Sequence, residues 1–183
     1  MDDIEKLHYM YKLKEVERFT DVNNRKENSA EHSWGAMILA LYFLKKVDRS
    51  IDESRVLKLL LYHDLVEIET GDVAELNATE EKAENERIGF INQLDKIPEN
   101  LREEYKSCFN EYKSQETIEA KFAKAIDKID SMIHCWNIRS DWKSKGYDEQ
   151  TIIEKKFPYI EEFPEIKEYV EMIISHLKEN KWL

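Results

Sequence analysis

At 183 residues the chain is long enough for one sizeable core and an enclosed small-molecule site. Four Gly and three Pro leave few places for tight turns and 37% of residues are charged, so an all-α fold over a single domain, residues 1–183, is expected. A net charge of −11 excludes a protein that tracks a nucleic-acid backbone, but a small phosphate ester can be met locally by a metal and one or two Arg.

Residues 3–17 place Ile4, Leu7, Met10, Tyr11 and Val16 near helical spacing, and residues 18–28 read as a polar, turn-prone stretch. Asn28 or Ser29 caps a second helix to about Lys46, apolar nearly all round from Trp34 to Leu44 and therefore central. Asp52 or Ser54 opens a third, buried helix ending near Thr70-Gly71. Residues 79–95 carry a thin stripe at Ala83, Ile88, Ile91 and Leu94, as on a peripheral helix, and Pro98 starts another. From Thr117 to Trp142 a long helix presents Phe122, Ile126, Ile129, Ile133 and Trp136 to the core. Gly146 breaks it, and the last of two shorter segments is amphipathic through Ile166, Tyr169, Val170, Ile173, Ile174 and Leu177. Cys108 and Cys135 have no metal or redox spacing and read as core residues. No apolar run suggests a signal peptide or membrane span, and a cytoplasmic location is expected.

Three groups carry metal-ligand chemistry: His32, the pair His63-Asp64, and Asp127 or Asp130. In a continuous third helix, residues 63, 64 and 67 lie at about 0°, 100° and 40°, so His63, Asp64 and Glu67 share a face. Burying three such groups unpaired costs several kcal/mol, and a cation removes that cost. Imidazoles with carboxylates suit Mn, Co, Ni, Fe or Zn. Of the two later aspartates, Asp130 lies about 80° from the stripe centre and Asp127 about 140°, while Ala120, Ala123 and Asp127 form a face open to close helix approach.

The segments Arg18-Phe19, Glu27-Asn28-Ser29-Ala30-Glu31-His32-Ser33, Tyr62-His63-Asp64-Leu65-Val66-Glu67 with Thr70-Gly71-Asp72, and Glu119-Ala120-Lys121-Phe122 with Asp127 resemble, in order and spacing, the HD-domain phosphohydrolases. Within them the chain is most similar to the 5′-deoxynucleotidase group, although Phe19 stands where bacterial members carry Trp and the spacer to the metal His is one residue shorter. The resemblance implies a helical bundle with a metal site between central helices. It implies His32, His63, Asp64 and Asp127 as ligands of one divalent metal ion, Glu67 and Asp72 as catalytic carboxylates, and Arg18 and Phe19 as contacts to a small-molecule nucleotide substrate. It also implies a homodimer, for which Trp136, Trp142, Phe157, Tyr159 and Phe163 offer apolar area. The alternatives are another small phosphate ester, a nucleoside triphosphate, or a nucleotide-binding regulator without turnover. Outside the resemblance, Arg18 reads as a surface ion pair and Phe19 as core packing.

Overall fold

The structure, a computed structural model, describes residues 1–73, 80–136, 142 and 146–183. Helix α1 (Asp3–Met10) starts on a reciprocal cap in which Asp2 accepts from the Glu5 N–H and Glu5 from the Asp2 N–H. The chain then tightens into a 3-10 turn over Tyr11–Glu15, so the helix expected through residue 17 ends early.

The stretch read as a polar turn is instead an antiparallel hairpin, β1 (Glu17–Val22) and β2 (Arg25–Asn28). Asn23, at φ 56, makes the reversal, a backbone state that Asn tolerates better than most side chains. With Phe19 and Val22 as the apolar residues of the two strands, no alternating pattern announces the hairpin.

Helix α2 (Ser29–Leu44) is capped by Asn28, which trades hydrogen bonds with Glu31. It is central but not buried all round: His32, Ser33, Ala36, Ala40 and Phe43 face inward, while Trp34, Ile38 and Tyr42 form an exposed stripe, Trp34 at 66%. The single third helix expected to Thr70 divides. Helix α3 (Glu53–Tyr62), capped by Asp52, gives way to a tightened turn with Leu65 N–H bonded to Tyr62 O and Glu67 N–H to Asp64 O. Helix α4 (Glu67–Thr70) follows and stops at Gly71, whose φ of 70 suits glycine.

Of the stripe expected over residues 79–95, Leu94, just past α5 (Glu80–Gln93), packs against the core, but the members within the helix do not. Ala83, Ile88 and Ile91 are exposed, and Gly89, Phe90 and Gln93 turn inward. A Cβ on Gly89 would stand 2.9 Å from the Thr70 side chain and 3.3 Å from Val66, so close approach to α4 decided the face, outweighing isoleucine hydrophobicity.

Helix α6 (Glu99–Ser114) follows Pro98, and α7 (Ile118–His134) is capped by Thr117. Phe122, Ile126 and Ile129 are buried as expected, whereas Ile133 is exposed. The continuation expected towards Trp142 falls partly on residues 137–141, outside the described residues. Helices α8 (Glu149–Ile160) and α9 (Pro164–Glu179) complete the bundle. Helices α2, α3 and α7 pack on one another, α6 packs on α3 and α7, and α8 and α9 pack on α7. Cys108 and Cys135 are buried, and Trp142 and Phe163 belong to the core. Among the described residues no helix is long and apolar enough to cross a membrane.

Candidate metal centre

The three central helices deliver their polar residues to one point. His32 comes from the first turn of α2, His63 and Asp64 from the tightened turn after α3, and Asp127 from the middle of α7. The two Nε2 atoms lie 3.3 Å apart. Asp127 Oδ1 is 3.1 Å from His32 Nε2 and 3.7 Å from His63 Nε2, and Asp64 Oδ2 is 3.6 Å and 3.2 Å from the same atoms. Ligand atoms held about 2.0–2.2 Å from one centre sit about 2.8–3.6 Å from their neighbours, so these spacings come close to the edges of a coordination shell.

Charge supports the same fit. Burial works against a proton on either imidazole, yet the surrounding carboxylates prevail and push His32 up to about 10 and His63 to about 9. Burial would raise Asp64 and Asp127, but His63 in the first case and Lys124 with the imidazoles in the second hold both well below the usual carboxylate range. The pocket therefore carries excess negative charge that draws protons onto its nitrogens, and a divalent cation can take their place.

Each donor is held from behind. His63 Nδ1 lies 2.8 Å from Leu60 O, and His32 Nδ1 lies 2.8 Å from Asp130 Oδ2. Asp127 Oδ2 accepts from Tyr112 Oη at 2.8 Å and Lys124 Nζ at 2.9 Å. The alternatives left open by helical angles thus occupy different places: Asp127 faces both Nε2 atoms, and Asp130 stands behind His32. Gly35 sits mid-helix in α2, where glycine costs about 0.5–1 kcal/mol relative to Ala. A Cβ there would lie 3.0 Å from Asp130 Oδ1.

At the rim, Arg18 is held between carboxylates, with Nη1 3.2 Å from Asp64 and 3.7 Å from Asp72 and Nε 3.4 Å from Glu27. It is therefore mostly buried rather than a surface ion pair. Burial works against its charge, but Asp64, Asp72, Glu67 and Asp127 together keep it firmly cationic. Phe19 is no core residue: it is 44% exposed, and its backbone N–H donates to Asp72 Oδ2 at 3.2 Å. Glu67 is buried and accepts from Ser29 Oγ at 2.6 Å. Burial, then Asp64 and Asp72, push the Glu67 carboxyl up to about 8, against the pull of the Ser29 hydroxyl.

Sequence reasoning missed Ser29, Glu27, Tyr112 and Lys124. Ser29 reads as a helix cap, and Glu27 lies within a stretch that looked like a loop. Tyr112 and Lys124 carry no motif; a third-residue spacing before Asp127 was the available signal for Lys124. His134 anchors the hairpin beside the site, with Nε2 2.9 Å from Asp21 O and Nδ1 3.4 Å from Glu27.

A model of the HD domain matches residues 10–167. The chain belongs to the HD domain family. This HD-domain chain is 34% identical over 113 residues to 5′-deoxynucleotidase HDDC2 of Homo sapiens, covering 60% of this chain and 53% of that protein. It is 39% identical over 112 residues to 5′-deoxynucleotidase hdd1 of Schizosaccharomyces pombe, covering 57% and 54%. The matched stretch thus spans about half the length of these curated relatives. A protein of Magnetospirillum magnetotacticum described as a predicted metal-dependent phosphohydrolase has a solved structure that superposes with a TM-score of 0.87 at 28% identity, covering 98% of this chain and 93% of that one. The HD fold and the converging donors support a divalent metal here.

Proposed function

We propose that the chain is a metal-dependent phosphohydrolase that acts on deoxynucleoside 5′-monophosphates, releasing the deoxynucleoside and phosphate. The observation that carries the reading is the convergence of His32, His63, Asp64 and Asp127, with Arg18, Glu67 and Asp72 around them. The names of the human and fission-yeast relatives support the substrate class.

His32, His63, Asp64 and Asp127 would hold the cation. When bound, it supplies Lewis acidity and a water acidic enough to ionise near neutral pH. Glu67 is the proton-handling group: its raised carboxyl keeps or accepts a proton near neutrality, and Ser29 fixes its orientation. Asp72 is the second catalytic carboxylate, and it also ties the hairpin to the site through the Phe19 N–H. Arg18 offers a fixed cation to the phosphate or sugar, and the exposed Phe19 ring offers a wall for the ribose. The same proposal includes one domain and a homodimer. The exposed stripe of Trp34, Ile38 and Tyr42 supports the dimer better than the C-terminal aromatics, of which Trp142 and Phe163 are buried.

The test is phosphate release from dAMP, dCMP and dTMP, with AMP and dATP alongside, after loading with Mn, Co, Ni, Fe or Zn. Turnover of the deoxynucleoside monophosphates is expected, and His63→Ala and Glu67→Ala should abolish it. Absence of release from every nucleotide with every metal refutes the reading, and thermal stabilisation by nucleotide without release would point to a binding role.

A further inference from the structure

We propose that Asp130 is a positioning residue for the metal centre, fixing His32 in the form that points an unprotonated Nε2 at the cation, and that Gly35 leaves the space this requires. The inference rests on the reading of His32 as a metal ligand.

An imidazole can coordinate through Nε2 only if that atom presents a lone pair, and the neutral ring then carries its proton on Nδ1. What Nδ1 faces therefore decides which nitrogen is available. For His32 it faces Asp130 Oδ2 at 2.8 Å, with both residues buried. A carboxylate can only accept, so Nδ1 donates to Asp130; Nε2 faces Asp127 and His63, the side on which a cation would replace its proton, and Asp130 then keeps the remaining proton on Nδ1. His63 reaches the same state more weakly, through the neutral carbonyl of Leu60 at 2.8 Å. The two ligands are thus unequal: the charged partner makes His32 the more basic donor and holds its ring plane more firmly.

Gly35 supplies the second, independent observation. It lies three residues after His32, so both project from neighbouring turns of α2. An added Cβ would stand 3.0 Å from Asp130 Oδ1 and 3.7 Å from Cγ, so the carboxylate that holds His32 would have to give by a few tenths of an ångström. Glycine inside a long helix is otherwise disfavoured, so its presence marks the approach of Asp130. Glu27, His32 and Asp130 also form a group that could itself take a cation. Glu27 is already engaged by Thr20 and lies close to Arg18 and His134, which favours the orienting role for Asp130.

The experiment measures zinc affinity by chelator competition in the full chain, together with imidazole 15N spectra of the zinc-loaded protein. Wild type is expected to bind one equivalent, with His32 protonated at Nδ1 and metal-shifted at Nε2. Asp130→Ala should weaken zinc about 10–100-fold. Asp130→Asn, which can still present a carbonyl oxygen to Nδ1, should recover part of that loss. Gly35→Ala should weaken zinc without lowering the unfolding temperature of the metal-free chain, a separation that a general packing defect would not produce. Affinities of both Asp130 variants within twofold of wild type, or an unprotonated Nδ1, would overturn the assignment while leaving the metal centre standing. A second bound equivalent lost in Asp130→Ala would overturn it by making Asp130 a ligand. Failure of the wild type to bind any zinc would overturn the metal-centre reading and this assignment together.

Discussion

Gln93→Leu should destabilise the chain by about 2–4 kcal/mol, although it preserves volume and adds apolar surface. Gln93 is fully buried, and its amide nitrogen donates to Leu65 O at 2.8 Å and to Tyr9 Oη at 3.0 Å. Its amide oxygen accepts from Tyr105, and Tyr9 in turn donates to Glu69. Leucine would strip the Tyr105 hydroxyl of this acceptor, a desolvation cost of about 1–3 kcal/mol. The Leu65 carbonyl would fall back on the Ile68 N–H at 3.3 Å, a weaker loss of about 0.5–1.5 kcal/mol. For a domain stable by about 5–15 kcal/mol this is a large fraction. Equilibrium urea unfolding reads it as a fall in midpoint of about 1–2 M at an m-value of about 2 kcal/mol/M. Adding Tyr105→Phe should restore about 1–2 kcal/mol, because the hydroxyl without an acceptor is then gone. A midpoint shift below about 0.3 M, or a double variant no more stable than Gln93→Leu, would refute the reasoning. The site is also involved, since Leu65 belongs to the turn that presents His63 and Asp64.

Ser29→Ala should lower kcat about tenfold, the equivalent of one charge-assisted hydrogen bond of about 1.4 kcal/mol. Because the hydroxyl pulls the Glu67 carboxyl down, its removal lets burial and the neighbouring aspartates raise that carboxyl further, and the pH–rate limb due to Glu67 should move to higher pH. Gly89→Ala gains helix propensity but forces a Cβ to 2.9 Å from Thr70. Overpacking should win by about 1–2 kcal/mol, seen as a lower unfolding temperature by calorimetry. For Glu69, burial acts upward, but hydrogen bonds from Lys96 and Tyr9 outweigh it and hold the carboxyl below the ordinary Glu value. A carboxyl depressed on folding stabilises the chain fully above its unfolded pKa of about 4.3 and loses that contribution as pH falls through the folded value. Glu69→Gln should therefore flatten the acid limb of the stability–pH curve below about pH 5, and an unchanged limb would count against the assignment.

Where local chemistry sufficed, residue order alone determined the outcome. Few turn formers and strong helical periodicity specify a helical bundle, one helix starts at Thr117 as expected, Asp52 of the two candidates opens another, and His63-Asp64 inside an apolar run calls for a cation, hydrogen bonds or shifted protonation. Contacts between segments distant in sequence decided the rest. Periodicity measures a helix against an average core, so it preferred Ile88 and Ile91 on α5, while the approach of α4 at Gly89 turned Phe90 and Gln93 inward. The hairpin at 17–28 escaped notice because its residues are held by partners such as Asp64, Asp72 and His134, which lie from 46 to more than 100 positions away. The two aspartates of α7 show the limit most sharply. They sit three residues apart on one helix, and helical angles could not separate their roles. Only the packing of α2 against α7 puts Nε2 of His32 on Asp127 and Nδ1 on Asp130, because the two nitrogens of one ring point in different directions.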